Sequence, residues 1–121
     1  LDWYSNEIIK LGVKTAIIMH IPLYTYRAAF EAAWNSQYKP ETVLPLESCD
    51  AKYWKDGYKG SYGVKYEGIG SYPADNGEFS LIKQLGSTDT VLVGHEHIND
   101  FVIDYEGIKL VYSLKTGAGS Y

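Results

Sequence analysis

Two histidines separated by one residue follow a short apolar run, and this spacing suits metal binding. Residues 91–93 are Val-Leu-Val, Gly94 follows, and His95 and His97 come directly after it. In an extended chain, residues two apart point to the same side, with Cα atoms about 6.5–7 Å apart. The imidazoles can therefore bind one metal ion together, or one ion each of a pair about 3.5–4 Å apart. The alternative is a pair of polar side chains in a surface loop.

The remaining histidine occupies a similar place in the chain. The sequence has three histidines, and His20 ends the apolar strand pattern of residues 16–19. All three histidines thus follow predicted strands, and ligands of open α/β sheets collect beyond the carboxyl ends of strands. The pattern predicts a metal site built from His20, His95 and His97. Taken alone, a histidine after an apolar run is more often a hydrogen-bonded core or turn residue; the pairing with His95 and His97 at another strand end reverses that preference.

Several motifs resemble one enzyme superfamily. Gly94-His95-Glu96-His97 resembles the G-H-x-H motif of calcineurin-like metallophosphoesterases, and Met19-His20-Ile21-Pro22 resembles the strand-end histidine that precedes it. The resemblance to the purple-acid-phosphatase-like branch extends over nearly the whole chain, from about Leu1 to Tyr121. Its further segments are Lys65-Tyr66-Glu67-Gly68, Gly77-Glu78-Phe79, His95 through Phe101, and Thr116-Gly117-Ala118-Gly119.

The resemblance implies an α/β fold and a metal-dependent hydrolase. The expected architecture is a partial four-layer α/β/β/α sandwich of mixed sheets. The implied function is phosphoester hydrolysis, by a phosphatase or a phosphodiesterase, at a dinuclear metal site with a bridging hydroxide. Two divalent ions (Mn, Fe or Zn) are implied as cofactors, with His20 and His95 on one ion and His97 on the other. The implied substrate is a small phosphorylated molecule.

Three motifs of the superfamily's N-terminal half, D-x-H, G-D-x-x-D and G-N-H, do not occur in this sequence. The resemblance therefore implies that residues 1–121 form the C-terminal half of a single metallophosphoesterase domain. The general acid and the bridging aspartate would come from the other half, so the chain should be inactive alone. Such a half would leave a sheet edge and an apolar face uncovered, which predicts self-association or pairing with the N-terminal half. The alternative is a non-catalytic module holding one structural Zn or no metal.

Five further side chains are candidates for supporting roles. Asn99 and Asp100 could accept ring N–H bonds and fix the imidazole tautomers, or stabilise a local turn. Glu67 is a candidate for a place near the substrate. Arg27 could reach a phosphate from the loop after His20, or be a solvated helix-face charge. Glu96, between the histidines, would point to the opposite side and have a structural or supporting role.

Composition narrows the possible partners. Hydrophobic residues make up 45% and charged residues 21%, which is ordinary for a globular domain. The net charge of −4 provides no basic stripe for nucleic acid. No apolar run approaches the about 20 residues of a membrane span. The single cysteine, Cys49, excludes an intrachain disulfide and is predicted to be a half-buried, inert thiol.

An alternation of helices and strands is predicted to carry the histidines. Residues 13–21 form a strand whose apolar centre predicts a central position in its sheet, and Gly94 is expected to allow a sharp turn where a side chain would clash. Residues 39–72 are predicted to be an ordered loop near the site, shaping the substrate pocket. Three helices are predicted: one over 1–11 ending at Gly12, one over 26–38 capped by Thr25, and one from Asp75 or Asn76 to Leu85. Residues 101–105 and 108–112 are predicted to form a hairpin around Glu106-Gly107. A turn is predicted at 116–119, and it could approach the metals.

Overall fold

The structure, a computed structural model, describes residues 1–116 and has an α/β fold, as predicted. These residues form three α-helices and one five-stranded mixed sheet. The elements are α1 (Asp2–Leu11), β1 (Thr15–Ile18), α2 (Thr25–Ala33), β2 (Tyr62–Val64), α3 (Glu78–Leu85), β3 (Thr88–Val93), β4 (Asp100–Tyr105) and β5 (Ile108–Tyr112). Because the described residues contain one sheet, the four-layer sandwich stays a prediction.

The order of the strands explains how distant histidines meet. The sheet runs β1-β3-β5-β4-β2, and β3 is parallel to both β1 and β5. Ile17 is opposite Val91, and Ile18 is opposite Leu92. The carboxyl ends of β1 and β3 therefore lie side by side, and the chain segments that leave them share one edge of the sheet.

The predicted central position of β1 is wrong for the described part of the chain. There, β1 is an edge strand with only β3 beside it. Ile18 has 78% of its surface exposed. An apolar composition shows that a strand prefers burial, but it does not specify what covers the strand. Beside β1 and α1 lies a groove of about 530 Å³, lined in part by Trp3, Ile8 and Ile17.

Two helices end at glycine, as predicted, whereas two helices have N-cap residues that differ from the predicted ones. Gly12 and Gly86 end α1 and α3 in the left-handed conformation, as expected. Before α3, Asn76 Oδ1 accepts the N–H of Glu78, although Gly77 is the N-cap residue. Thr25 is the first residue of α2 and not its cap.

The second helix is shorter than predicted because Trp34 leaves the helical conformation. α2 ends at Ala33, and Trp34 is extended and forms an isolated bridge with Trp54. Its indole is buried and stacks on Phe30 and Tyr53, with centroid distances of 5.5 and 5.8 Å. Trp34 is therefore a core residue whose extended backbone ends the helix.

The helix α2 is anchored to the sheet by one buried phenol. Tyr26 is fully buried, and its hydroxyl donates to Val91 O at 2.7 Å, with Val111 O at 3.2 Å. Burial raises the pKa of Tyr26 well above its usual range. Because Val91 and Val111 belong to β3 and β5, this contact fixes the helix over the strand that precedes His95.

The predicted hairpin is confirmed. β4 and β5 are antiparallel, and Glu106 and Gly107 both have positive φ, at 52° and 83°. Two successive positive φ values are typical of a type I′ turn, whose twist matches that of the flanking strands.

The long segment 39–72 is ordered, as predicted, and contains β2 together with three short 3₁₀ helices, Pro40–Thr42, Glu47–Cys49 and Ala51–Tyr53. Cys49 is exposed, so its predicted half-burial is wrong: the residue that this turn buries is its neighbour Ser48.

No helix within residues 1–116 has the length and apolar character needed to cross a membrane. The predicted turn at 116–119 lies, apart from Thr116, outside the described residues.

Candidate metal centre

The structure brings His20 and His95 into direct contact at the edge where β1 and β3 end. His95 Nδ1 and His20 Nε2 are 3.1 Å apart. The rings are nearly perpendicular, with an interplanar angle of 82° and centroids 4.8 Å apart. The two residues are 75 positions apart in the chain. Their contact therefore follows from the parallel pairing of β1 and β3.

The separation of the two nitrogens suits a shared cation. Imidazole nitrogens bind Zn²⁺ at about 2.0–2.1 Å, so two nitrogens on one ion with an angle of about 90–110° lie roughly 2.8–3.4 Å apart. The observed 3.1 Å falls in that interval. Without a cation, one ring must donate its N–H to the other. A bound ion would replace that shared proton.

His97 does not complete a three-residue group with this pair. Within residues 1–116, no three side chains of the His, Cys, Asp and Glu types are arranged to hold a metal ion. His97 is half-buried, and its backbone oxygen accepts the N–H of Lys115 at 3.2 Å. The structure thus joins two of the three predicted ligands, and a metal-binding role for any of them stays a prediction.

The loop that carries the histidines is held by β5 and not by a special conformation of glycine. Tyr112 is fully buried, and its hydroxyl accepts the N–H of Glu96 at 2.9 Å. Ser113 donates its N–H to Val93 O at 2.9 Å. At Gly94, φ is not positive, and an added Cβ would meet Ser113 O at an ordinary 3.6 Å. The predicted clash of a side chain at Gly94 is therefore wrong.

Asn99 and Asp100 lie after the histidines, and their observed contacts are with the long segment 39–72. Asn99 is fully buried, and its Oδ1 accepts the N–H of Glu67 at 3.0 Å. Asp100 begins β4 opposite Val64, and desolvation raises the pKa of its carboxyl. For both residues, a role in fixing an imidazole tautomer stays a prediction.

Glu67 lies in the long segment 39–72, and Arg27 of α2 contacts that segment at Ile69. Glu67 is half-buried, and its Oε1 is buried without a hydrogen-bond partner among the described residues. Arg27 is exposed, and its Nε donates to Ile69 O at 2.9 Å. The guanidinium therefore fixes the backbone of the long segment. Contact of either side chain with a phosphorylated substrate stays a prediction.

Replacing Asn99 by alanine should destabilise the fold. The change leaves the part-buried N–H of Glu67 without its acceptor, which we expect to cost about 1 kcal/mol, the lower end of the range for an unsatisfied buried group. The free energy of unfolding, measured by urea titration, should fall by that amount. Asn6→Ala, at an exposed position of α1, is the control and should change stability by less than about 0.5 kcal/mol. Equal stability of both variants would show that the Asn99 bond carries no net stabilisation.

Sequence comparison supplies an independent observation. Two curated proteins are similar to this chain. One, described as "Probable inactive purple acid phosphatase 29" from Arabidopsis thaliana, is 32% identical over 66 residues, covering 54% of this chain and 17% of the relative. The other, "Probable inactive purple acid phosphatase 14" from the same organism, is 36% identical over 59 residues, covering 49% of the chain and 15% of the relative.

The matches thus span less than a fifth of those relatives' lengths. No family model matches the chain, and no solved structure matches it. The two partial similarities indicate a relationship to proteins described as probable inactive purple acid phosphatases. Assignment of the chain to the C-terminal half of such a domain stays a prediction.

Proposed function

We propose that this chain supplies imidazole ligands to a metal-dependent phosphoester hydrolase site. In this proposal His20 and His95 hold one divalent cation, and His97 holds a second; the ions are Mn, Fe or Zn. The observation that carries the proposal is the 3.1 Å separation between His95 Nδ1 and His20 Nε2. The similarity to two purple-acid-phosphatase-like proteins supports the same chemical class.

In the proposed chemistry, the residues of this chain bind the metal ions and orient the bound groups. Divalent cations at such a site neutralise charge on phosphoryl oxygens and lower the pKa of bound water. Neutral imidazole nitrogens suit Mn, Fe and Zn. His20 is exposed and His95 is half-exposed, so a small phosphorylated substrate can approach the side of the pair that faces solvent. The chain's own residues bind and orient, and no general acid is assigned to them.

The remaining ligands are proposed to come from another polypeptide segment. The D-x-H, G-D-x-x-D and G-N-H motifs are absent from this sequence. Within residues 1–116, β1 has no strand on its outer edge, and it ends at Ile18, two residues before His20. A strand added there in parallel would place its own carboxyl-end residues beside His20. We propose the N-terminal half of a metallophosphoesterase domain as that segment, with self-association of this chain as the alternative.

A second candidate function is a non-catalytic module with one metal ion. Two observations favour it. Residues 1–116 join only two metal-binding side chains at the centre, and both named relatives carry the words "probable inactive". A structural Zn²⁺ is enclosed by four protein ligands, whereas a catalytic site keeps a position open for water or substrate. The two candidates therefore differ in whether a phosphate ion can reach the bound metal.

The test combines metal binding, phosphate binding and turnover in the 121-residue chain. We expect Zn²⁺ to bind in calorimetry, and inorganic phosphate to bind the Zn²⁺-loaded chain but not the metal-free chain. Hydrolysis of p-nitrophenyl phosphate with added Mn²⁺ or Zn²⁺ should be negligible for the chain alone. Zn²⁺ binding without phosphate binding would favour the non-catalytic module. Robust turnover by the chain alone would contradict the proposal that its missing ligands come from elsewhere, and absence of metal binding would reject the site.

A further inference from the structure

A short backbone segment, residues 67–70, lies across the histidine loop and is held there from several directions. It belongs to the long segment 39–72 and is remote in sequence from the loop that it contacts. Side chains of three residues bind its backbone: Asn99 Oδ1 accepts the N–H of Glu67 (3.0 Å), Arg27 Nε donates to Ile69 O (2.9 Å), and Glu96 Oε1 accepts the N–H of Gly70 (2.8 Å). Ile69 itself is buried.

Gly70 is the point where this segment touches the candidate metal ligand. A Cβ added to Gly70 would lie 3.1 Å from His95 Cδ2 and 3.3 Å from His95 Nε2, and it would overlap Glu96 Oε1. The Gly70 backbone is therefore packed against one edge of the His95 ring. The other edge, at Nδ1, faces His20. The His95 ring thus lies between Gly70 and His20, and a Cβ at residue 70 would require the Glu96 carboxylate and the His95 ring to shift.

Glu96 joins the segment to the core. Its side chain is only 12% exposed. Its backbone N–H is held by the hydroxyl of the buried Tyr112, and its Oε1 lies 3.8 Å from His95 Nε2. That distance is longer than a hydrogen bond, so the carboxylate acts on the ring directly only through electrostatics. Its structural effect on the ring depends on the hydrogen bond that Glu96 Oε1 accepts from the N–H of Gly70.

We propose that Glu96 is a positioning residue: by accepting the N–H of Gly70 it holds the 67–70 backbone against His95 and keeps His95 Nδ1 directed at His20. This inference extends the proposed function, because a fixed ring orientation matters most if the ring binds a cation. Groups that only orient a metal ligand commonly change metal affinity by about 10–100-fold. The effect of Glu96 on the orientation of the His95 ring can be tested in the metal-free protein.

Three substitutions and one control separate this role from general stability. Gly70→Ala and Glu96→Ala should displace the ring, the first by crowding it and the second by releasing Gly70. Glu96→Gln keeps an oxygen that can accept the N–H of Gly70, so it should preserve the ring position. Gly68→Ala is the matched control in the same segment, because a Cβ there meets nothing within 4 Å and φ is not positive.

Two readouts are needed, both on the full chain. In the metal-free protein, the nuclear Overhauser effect between the ring protons of His20 and His95 should weaken strongly in Gly70→Ala and Glu96→Ala. It should persist in Glu96→Gln and Gly68→Ala. The dissociation constant for Zn²⁺ should rise about 10–100-fold in Gly70→Ala and Glu96→Ala and remain within about twofold of the unaltered chain in Gly68→Ala. Glu96→Gln loses only the charge of the carboxylate, so it should weaken Zn²⁺ binding less than Glu96→Ala.

Unchanged ring contacts and unchanged Zn²⁺ affinity in Gly70→Ala and Glu96→Ala would overturn the inference. Loss of the ring contact in Gly68→Ala as well would also overturn it, because the effect would then be general loosening. If the unaltered chain binds no Zn²⁺, the proposed function fails and the ring contact alone decides the positioning role. If Glu96→Ala does not fold, Gly70→Ala compared with Gly68→Ala gives the decision.

Discussion

Replacing His95 by alanine is expected to weaken Zn²⁺ binding by at least about 100-fold, because removing residues that merely orient a ligand already costs about 10–100-fold. His20→Ala should have a similar effect, since the two nitrogens lie 3.1 Å apart and would share one ion. Isothermal titration calorimetry gives both dissociation constants. Circular dichroism establishes that the variants are folded.

A suitable control for this experiment is Cys49→Ala. Cys49 is an exposed thiol, and thiolates bind Zn²⁺ well, so adventitious binding there would imitate a histidine site. We expect Cys49→Ala to retain the affinity of the unaltered chain. Loss of binding in Cys49→Ala together with normal binding in His95→Ala would place the ion at the cysteine and contradict the proposed centre.

Gly63→Ala is expected to cause the largest loss of stability of any single glycine substitution among residues 1–116. Gly63 has φ of 106°, which strains any residue with a Cβ. An added Cβ would overlap backbone atoms of Asp100 and Phe101 on the paired strand β4. Backbone atoms inside a sheet cannot yield as a flexible side chain can. The free energy of unfolding should fall by about 3 kcal/mol or more.

Urea titration of Gly63→Ala and of Gly60→Ala tests this expectation. Gly60 is three residues earlier, its φ is not positive, and a Cβ there would meet open space, so its substitution should be nearly neutral. Because β2 ends at Val64, shortly before residues 67–70, Gly63→Ala should also weaken the ring contact between His20 and His95. Equal stability of the two variants would show that β2 and β4 are not paired as described.

The meeting of His20 with His95 could be predicted from sequence because it depends only on local patterns and one topological rule. Each histidine follows an apolar strand, and parallel neighbouring strands end at the same edge of the sheet. The hairpin was predictable for a similar reason, since Glu106-Gly107 specifies its own turn. The helix ends at Gly12 and Gly86 likewise follow from glycine at the residue after the helix.

The hydrogen bonds that hold residues 67–70 beside the histidine loop could not be predicted, because they join residues far apart in sequence. Asn99 binds the Glu67 backbone, 32 residues away, and Arg27 binds Ile69, 42 residues away. Patterns in sequence suggested ring contacts for Asn99 and a phosphate contact for Arg27, but both side chains bind backbone of the long segment. Sequence patterns do not identify Gly70 as part of the site, although Gly68, two residues earlier, lies in a motif. Only the packed structure shows which glycine touches His95.

The edge position of β1 cannot be predicted from sequence for a different physical reason. Four consecutive apolar residues, 16–19, predict a strand that is covered on both faces. In the described residues, Ile18 is exposed and nothing pairs with the outer edge of β1. The apolar residues of β1 indicate that the strand favours burial, but they do not specify which polypeptide segment packs against it.

The most direct test of the proposed centre is anomalous diffraction at the zinc edge from crystals of the 121-residue chain grown with Zn²⁺. We expect a peak about 2.0–2.1 Å from both His20 Nε2 and His95 Nδ1. A fully occupied zinc ion elsewhere on the chain, with no density between these two nitrogens, would contradict the assignment of His20 and His95 as metal ligands.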